Sequence, residues 1–325
     1  MIWLTWRQFR TQATVVFAAV AALAALLAVT GPQLADLYDS AGRDLLNRIS
    51  SADQSLYYVG WAIVLAVPAI IGLFWGAPLI ARELEDGTHR LAWNQTVTRT
   101  RWLATKLALA GLATMTVAGL ASLAVTWWSG PIDQAVGLGG ADSSTAFFPR
   151  IDPMVFGARG VVPIGYAAFA FILGVTVGVL FRRTLPAMAT TLAVFAAVQI
   201  AMPLWIRPHL ATSVQVTLPF TQAKPTSIGV DSVREVDFGQ PDAWILAEQT
   251  VNASGHPAAL PPSFADCASF TDCVEVLDKS GYQQQVTYQP ADNFWALQWT
   301  ETGIYLGLAL GLTGFCAWWI RRRLT

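Results

Sequence analysis

The chain has 325 residues, of which 54% are hydrophobic and 13% are charged, and its formal net charge at pH 7 is −1. Soluble domains carry about 25% charged residues, so this composition excludes an ordinary water-soluble enzyme and indicates a protein that lies in lipid. The near-zero net charge predicts no general attraction to nucleic acid, and we expect no nucleic-acid partner.

Six apolar stretches are long enough to cross a membrane. The hydrocarbon core is about 30 Å thick and needs roughly 20 apolar residues in a helix. Buried helices of a large soluble protein are the alternative, but such helices are usually shorter. We therefore predict an all-α membrane protein with six transmembrane helices. The predicted helices are 13–30, 59–80, 103–128, 161–181, 185–206 and 302–320.

The basic residues are distributed unevenly along the chain. If the amino terminus is inside, the short inside loops and ends hold twelve of the twenty Lys and Arg residues, and the much longer outside loops hold the other eight. Basic residues near helix ends stay in the cytoplasm, so we predict that both termini are cytoplasmic. Because Arg far outnumbers Lys, as is common in GC-rich bacteria, we expect the bacterial cytoplasmic (inner) membrane.

The predicted helices divide the chain into four parts. Residues 1–12 are amphipathic, which predicts a helix lying on the membrane surface; the alternative is that they simply begin the first transmembrane helix. Residues 13–206 hold the first five transmembrane helices, and residues 299–325 hold the sixth and a basic cytoplasmic tail. Residues 207–298 are predicted to form a small extracytoplasmic domain of mixed structure, because stretches such as 213–218 and 283–288 alternate apolar and polar residues.

Two of the three cysteines, Cys267 and Cys273, lie in the predicted extracytoplasmic domain. Thiols outside the cytoplasm are usually oxidised, so these two residues are predicted to form a disulfide. The alternative is that both are unpaired small residues of the domain core. Cys316 lies in the sixth predicted helix, where simple packing is expected.

The chain has none of the common sequence motifs that carry catalysis. It lacks the phosphate-binding loop G-x-x-x-x-G-K-[ST] and the zinc motif H-E-x-x-H, and its three His residues are too scattered to bind one metal together. No charged residue lies near the middle of a predicted transmembrane helix, which argues against transport driven by protons or sodium. We expect no enzyme activity, cofactor or metal in this chain, so a partner must drive any work it does.

Residues 81–106 form the longest loop on the predicted cytoplasmic side. Glu83 and Glu85 extend the second helix, and Gly87 is suited to end that helix in the left-handed conformation. Thr88 can then cap a new short helix. The loop is therefore predicted to have a defined structure.

The predicted short helix presents Leu91 and Trp93 on the cytoplasmic side. Exposed apolar residues surrounded by charge usually mark a contact with another protein. The alternative is an amphipathic loop that rests on the bilayer.

The same loop carries a pattern of residues known from a protein family. These residues are Glu83, Gly87, Thr88, Leu91, Val97, Thr98, Arg99 and Lys106. The pattern resembles the first cytoplasmic loop of the permease subunits of ATP-binding-cassette exporters of the drug and antibiotic efflux class, and the outline of the chain is similar to actinobacterial members. Thr96 stands where the family often has Pro, and Asn94 and Gln95 replace an apolar stretch.

The resemblance implies a mechanical role. In that family the loop forms a coupling helix that docks on a separate ATPase subunit, which binds ATP and Mg²⁺, and the permease pairs with a second copy or a paralogue. Closure of the ATPase pair then shifts the helices from inward-open to outward-open. The expected docking residues are Glu83, Glu85, Gly87, Thr88, Leu91, Trp93 and Arg99.

An apolar or amphipathic substrate is expected, and the possible substrate path includes Gln199, Trp205 and Glu301. Trp205 has the alternative role of an anchor at the lipid boundary. Glu301 has two further alternatives, which are binding a cation at the exit and capping the start of the sixth helix.

Glycines spaced by about four residues allow helix backbones to approach closely. In this chain they are interpreted as contacts within the helix bundle, with the interface between two permease subunits as the alternative. The glycines are Gly174 and Gly178 in the fourth helix and Gly303, Gly307, Gly311 and Gly314 in the sixth.

Two other functions compete with transport. The first is a membrane sensor or scaffold whose extracytoplasmic domain binds a ligand. The second is a lipid-modifying enzyme that uses Glu301 or carboxylates of that domain.

Overall fold

The computed structural model describes residues 2–87, 99–140, 147–223, 225–228, 233–261, 264, 267 and 269–323. Six helices in it are long and apolar enough to cross a membrane, as the sequence predicts. Helix 1 is Ile2–Ala41, helix 2 is Ser51–Glu85, helix 3 is Arg99–Trp128, helix 4 is Val162–Phe181, helix 5 is Thr184–His209 and helix 6 is Phe294–Arg323.

The two ends of the bundle carry different connections. The end of helix 2, the start of helix 3 and the short turn between helices 4 and 5 lie together at one end, which we call the loop end. The long segment between helices 5 and 6 lies at the other end, which we call the domain end. The predicted orientation assigns the loop end to the cytoplasm, and this assignment stays a prediction.

Helix 1 runs without a break from Ile2 to Ala41, so the backbone does not separate residues 1–12 from the predicted first transmembrane helix. At 1.5 Å per residue its 40 residues span about 60 Å, about twice the hydrocarbon thickness. Helix 1 packs on helix 3, and the Trp128 indole N–H donates to Thr30 Oγ1 at 2.9 Å. The surface location of residues 1–12 stays a prediction.

Helix 4 is the centre of the bundle, because 17 of its 20 residues are buried and it packs against helices 2, 3, 5 and 6. Its glycines allow helix 2 to approach. A Cβ on Gly174 would collide with the Gly72 carbonyl oxygen, and one on Gly178 would lie 2.6 Å from the Ala77 carbonyl oxygen. The predicted role of these two glycines within the bundle is confirmed.

The glycines of helix 6 behave differently. Apart from the adjacent residues and backbone of helix 6 itself, no atom of the described chain lies within 4 Å of a Cβ built on Gly303, Gly307, Gly311 or Gly314. The opposite face of the helix carries the contacts, including the buried residues Tyr305 and Ala309. The interpretation of the helix 6 glycines as contacts within this bundle is therefore wrong, because the helix turns its bulkier residues toward helix 4.

Helices 2 and 5 each contain one π-helical turn. In helix 2 the turn is Gly72–Gly76, and in helix 5 it is Met202–Ile206. In each case a backbone N–H donates to the carbonyl five residues earlier, from Ala77 to Gly72 and from Arg207 to Met202. Prolines lie within or beside both turns, and prolines and π turns are both known causes of helix kinks.

The segment between helices 5 and 6 contains β-strands as well as helix, as the alternating stretches predict. The strands are β1 (Val214–Pro219), β2 (Pro225–Ile228), β3 (Val233–Val236), β4 (Trp244–Val251) and β5 (Gln283–Gln289). Strands β1, β5 and β4 form an antiparallel sheet in that order, and β2 pairs with β3.

The same segment contains the helix Phe270–Lys279. Phe220 and Leu277 are the buried residues of a small apolar cluster in this segment. Cys267 and Cys273 are joined by a disulfide with their Cα atoms 5.3 Å apart. Cys316 is a free, buried cysteine in helix 6.

Candidate functional site

Four of the seven predicted docking residues fall at least partly within the described chain. Glu83 and Glu85 lie in the last turn of helix 2, and Gly87 follows with φ of 70°, the left-handed conformation that the sequence predicts. Arg99 begins helix 3, although its side chain is not described. The other three, Thr88, Leu91 and Trp93, lie outside the described residues.

Glu83 forms an ion pair with Lys106, which ties the end of helix 2 to the first turns of helix 3. Lys106 is 4% exposed, and its ammonium nitrogen lies 4.8 Å from the centroid of a Trp102 ring. A buried ammonium group requires a partner, because burial without one costs several kcal/mol by typical values. This ion pair joins residues that are 23 positions apart, so no local pattern in the sequence predicts it.

Glu85 contacts a different helix. Its Oε2 accepts hydrogen bonds from the Thr184 backbone N–H at 3.0 Å and from Thr184 Oγ1 at 2.8 Å. Thr184 is the first residue of helix 5, where backbone N–H groups need acceptors. Arg183 occupies the N-cap position and has no side-chain acceptor, so Glu85 supplies an acceptor for the first N–H of the helix.

A buried ion pair lies at the domain end. Arg207 Nε donates to Glu301 Oε2 at 2.7 Å, and Arg207 Nη2 donates to Glu301 Oε1 at 3.0 Å. The Tyr166 hydroxyl donates to Glu301 Oε1, and the guanidinium carbon lies 4.2 Å from the Phe156 ring centroid. Both charged side chains are at most 2% exposed. Helices 4, 5 and 6 therefore contact one another through a buried, bidentate ion pair whose net charge is zero.

Trp205 and Arg207 lie on opposite sides of the end of helix 5. Each residue of a helix advances about 100° around the axis, so two residues that are two positions apart face in opposite directions. Trp205 is 69% exposed, and Arg207, two residues later, is 2% exposed. This spacing therefore presents Trp205 outward and directs Arg207 to Glu301.

The structure connects two of the three predicted substrate-path residues. Gln199 Oε1 accepts a hydrogen bond from the Tyr305 hydroxyl at 2.6 Å, and the Tyr305 ring lies 4.7 Å from the Tyr166 ring, which contacts Glu301. Trp205 lies apart from this chain of contacts on the outer surface. Helix 6 begins at Phe294, seven residues before Glu301, so the capping alternative for Glu301 is wrong. Its substrate and cation roles stay predictions.

The start of helix 4 is held by Gln298, which no pattern in the sequence indicates. Gln298 Oε1 accepts from the backbone N–H groups of Val161 and Val162, both at 2.9 Å, and Gln298 Nε2 donates to the Phe156 carbonyl at 3.2 Å. Ser122 Oγ donates to the Gly160 carbonyl at 2.7 Å. These bonds satisfy buried backbone groups at the domain end, and a single Gln in the sequence gives no signal for them.

A second buried pair joins the segments beside helices 3 and 4. Arg159 Nε donates to Asp133 Oδ2 at 3.2 Å, and Arg159 is 1% exposed. Burial raises the pKa of Asp133, and the neighbouring guanidinium opposes that shift. Within the described part of the chain, no group of three or more His, Cys, Asp or Glu residues is placed to hold a metal ion.

The six apolar helices, the polar contacts at both of their ends and the buried centre of helix 4 define a multi-pass membrane protein. The model of the family described as ABC-2 membrane transporter related matches residues 17–207, which is more than half of the chain, and the chain belongs to this family. No curated protein and no solved structure matches the chain.

Membership makes the chain a permease subunit of an ABC-2 type transporter, a family that in general associates with an ATPase subunit. The matched region contains Glu83, Glu85, Lys106 and Thr184, and it ends at Arg207. Glu301 and the sheet lie beyond it.

Proposed function

We propose that this chain is the permease subunit of an ATP-driven exporter of the drug and antibiotic efflux class. It provides the path for an apolar or amphipathic substrate through the cytoplasmic membrane of a bacterium, with both termini in the cytoplasm. A separate ATPase subunit, which binds ATP and Mg²⁺, docks at the loop end. A second copy of the chain or a paralogue completes the transporter.

The observation that carries this proposal is the anchoring of the end of helix 2. This end is tied to helix 3 through Glu83 and Lys106 and to helix 5 through Glu85 and Thr184. A force that moves the end of helix 2 would therefore act on two further helices through polar contacts. Such an arrangement supports a role in which an external protein moves the bundle.

The proposal is tested first by purification of the chain through an affinity tag. We expect an ATPase subunit to co-purify, and its ATP hydrolysis to rise when the permease is present. The double variant Leu91→Asp/Trp93→Asp should abolish this rise. A matched double variant at the domain end, Val214→Asp/Ile245→Asp, changes two exposed apolar residues and should leave it unchanged.

Direction and substrate class are tested in inside-out membrane vesicles that contain the complex. We expect ATP-dependent accumulation of a fluorescent amphipathic dye, and no accumulation with the Leu91→Asp/Trp93→Asp variant. ATP-dependent release of preloaded dye would reverse the proposed direction. Recovery of the chain without any ATPase, together with ligand binding by residues 207–298, would favour the sensor or scaffold instead.

A further inference from the structure

We propose that Glu85 is a positioning residue. Through its two hydrogen bonds to Thr184 it transmits movement of residues 88–98, which we call the docking segment, to helix 5. This inference rests on the proposed function, because it presumes a partner that moves residues 88–98. It also changes the predicted role of Glu85 from a contact with the ATPase to a contact within the permease.

The geometry at Thr184 is that of a helix cap supplied by another helix. The Arg183 backbone is extended, as expected for an N-cap residue, while the acceptor comes from Glu85, 99 positions earlier in the chain. One carboxylate oxygen receives both the backbone N–H and the hydroxyl of Thr184. A negative charge at a helix amino terminus is also favoured by the helix dipole. The start of helix 5 therefore depends on the position of helix 2.

The last turns of helix 2 form polar contacts with helices 3 and 5. Glu83 pairs with Lys106 of helix 3, and Glu85, two residues later, holds Thr184 of helix 5. The same turns pack against helix 4, where Gly178 faces the Ala77 carbonyl. Movement of this end of helix 2 along helix 4 would carry the starts of helices 3 and 5 with it.

Helix 5 is held by acidic residues at both of its ends. Glu85 holds Thr184 at the loop end, and Glu301 holds Arg207 at the domain end. The Arg207 pair is buried and bidentate, whereas the Glu85 contact is exposed. Displacement at Thr184 would therefore tilt helix 5 about a fixed point near Arg207.

The exposure of Glu85 determines what its loss should change. Hydrogen bonds that water can replace contribute little to the stability of a fold. Removal of Glu85 should therefore leave the bundle folded and reduce the transmission of movement, which separates this role from that of a residue needed for folding.

The experiment uses the full chain with its co-purifying ATPase in lipid nanodiscs. Spin labels at Leu185 of helix 5 and Val15 of helix 1, both exposed, report the distance between these helices without nucleotide and with ATP and vanadate, in a background with Cys316→Ala. We expect a nucleotide-dependent change in the unsubstituted chain. Glu85→Ala should reduce this change by more than half, and Thr184→Ala, which removes one of the two donors, should reduce it less.

The control is Asp86→Ala, which removes the neighbouring exposed carboxylate and should leave the distance change intact. A second variant, Glu85→Ala/Arg183→Asn, gives helix 5 a cap of its own, whose side-chain oxygen accepts from the Leu185 N–H because Pro186 has no N–H. Glu85→Ala should lower the hydrogen-exchange protection of the Thr184 amide about fivefold, the size expected for a lost cap. The second variant should raise the protection of the Leu185 amide. It should not restore the distance change.

The outcomes separate the two proposals. If an ATPase co-purifies and the distance changes equally in the unsubstituted chain and in Glu85→Ala, the link is rejected and the proposed function stands. If Arg183→Asn restores the distance change, Glu85 is a cap and not a link, and the inference is likewise overturned. If no ATPase binds, both the proposed function and the link fall.

Discussion

Arg207 and Glu301 lie 94 positions apart in the sequence and form a bidentate ion pair that is almost completely buried. The pair joins the end of helix 5 to helix 6, and Tyr166 extends it to helix 4. A buried pair of this kind makes each charge dependent on the other, because an unpaired charge in a low-dielectric interior is very unfavourable.

Removal of one partner from this pair should therefore destabilise the protein strongly. We expect Arg207→Ala to lower the free energy of unfolding by about 3–5 kcal/mol, and Arg207→Met/Glu301→Leu to recover most of that loss. Chemical unfolding in detergent micelles measures both. The exposed Arg43 gives the control, and Arg43→Ala should change stability by less than about 0.5 kcal/mol. Equal stability of Arg207→Ala and the unsubstituted chain would contradict the assignment.

The two glycine sets should respond in opposite ways to the same substitution. Gly174→Ala places a methyl group against the backbone of helix 2 and should destabilise the protein by roughly 1–3 kcal/mol. Gly307→Ala meets no described atom within 4 Å and should be neutral or stabilising by up to about 1 kcal/mol, because alanine favours helix. Thermal unfolding in one detergent compares the two. A large loss of stability in Gly307→Ala would show that another part of the protein packs against the glycine face of helix 6.

Gln298 should be essential for the start of helix 4. Gln298→Leu leaves the N–H groups of Val161 and Val162 without their acceptor in a buried site, and each unsatisfied group costs about 1–3 kcal/mol. We expect a total loss of roughly 2–6 kcal/mol in chemical unfolding. Trp299→Leu, at the exposed neighbouring residue, is the matched control and should have a small effect. Similar stabilities for the two variants would rule out the proposed role of the carboxamide.

The predicted orientation can be checked with introduced cysteines. Ala253→Cys at the domain end should react with a membrane-impermeant thiol reagent in intact cells, because that end is expected outside. Asp86→Cys at the loop end should react only after the membrane is permeabilised. Both positions are exposed, and the native cysteines are either in a disulfide or buried. The reverse labelling pattern would place both termini outside.

Several parts of the fold could be predicted from the sequence because they depend on local composition. The six transmembrane helices follow from apolar length, and the left-handed Gly87 follows from the conformational freedom of glycine at a helix end. The boundaries were less predictable. Helix 6 begins at Phe294 and not at residue 302, because its first turns are amphipathic and lie against the domain-end core.

That the chain is a six-helix membrane protein follows from its residues alone, because burial in lipid requires long apolar segments whose backbone bonds are satisfied within each helix. Which polar residues contact each other is visible only in the folded protein. Glu85 with Thr184, Arg207 with Glu301 and Gln298 with the start of helix 4 are pairs of distant residues. Their partners depend on how the helices pack, and this packing leaves no periodic pattern in the sequence.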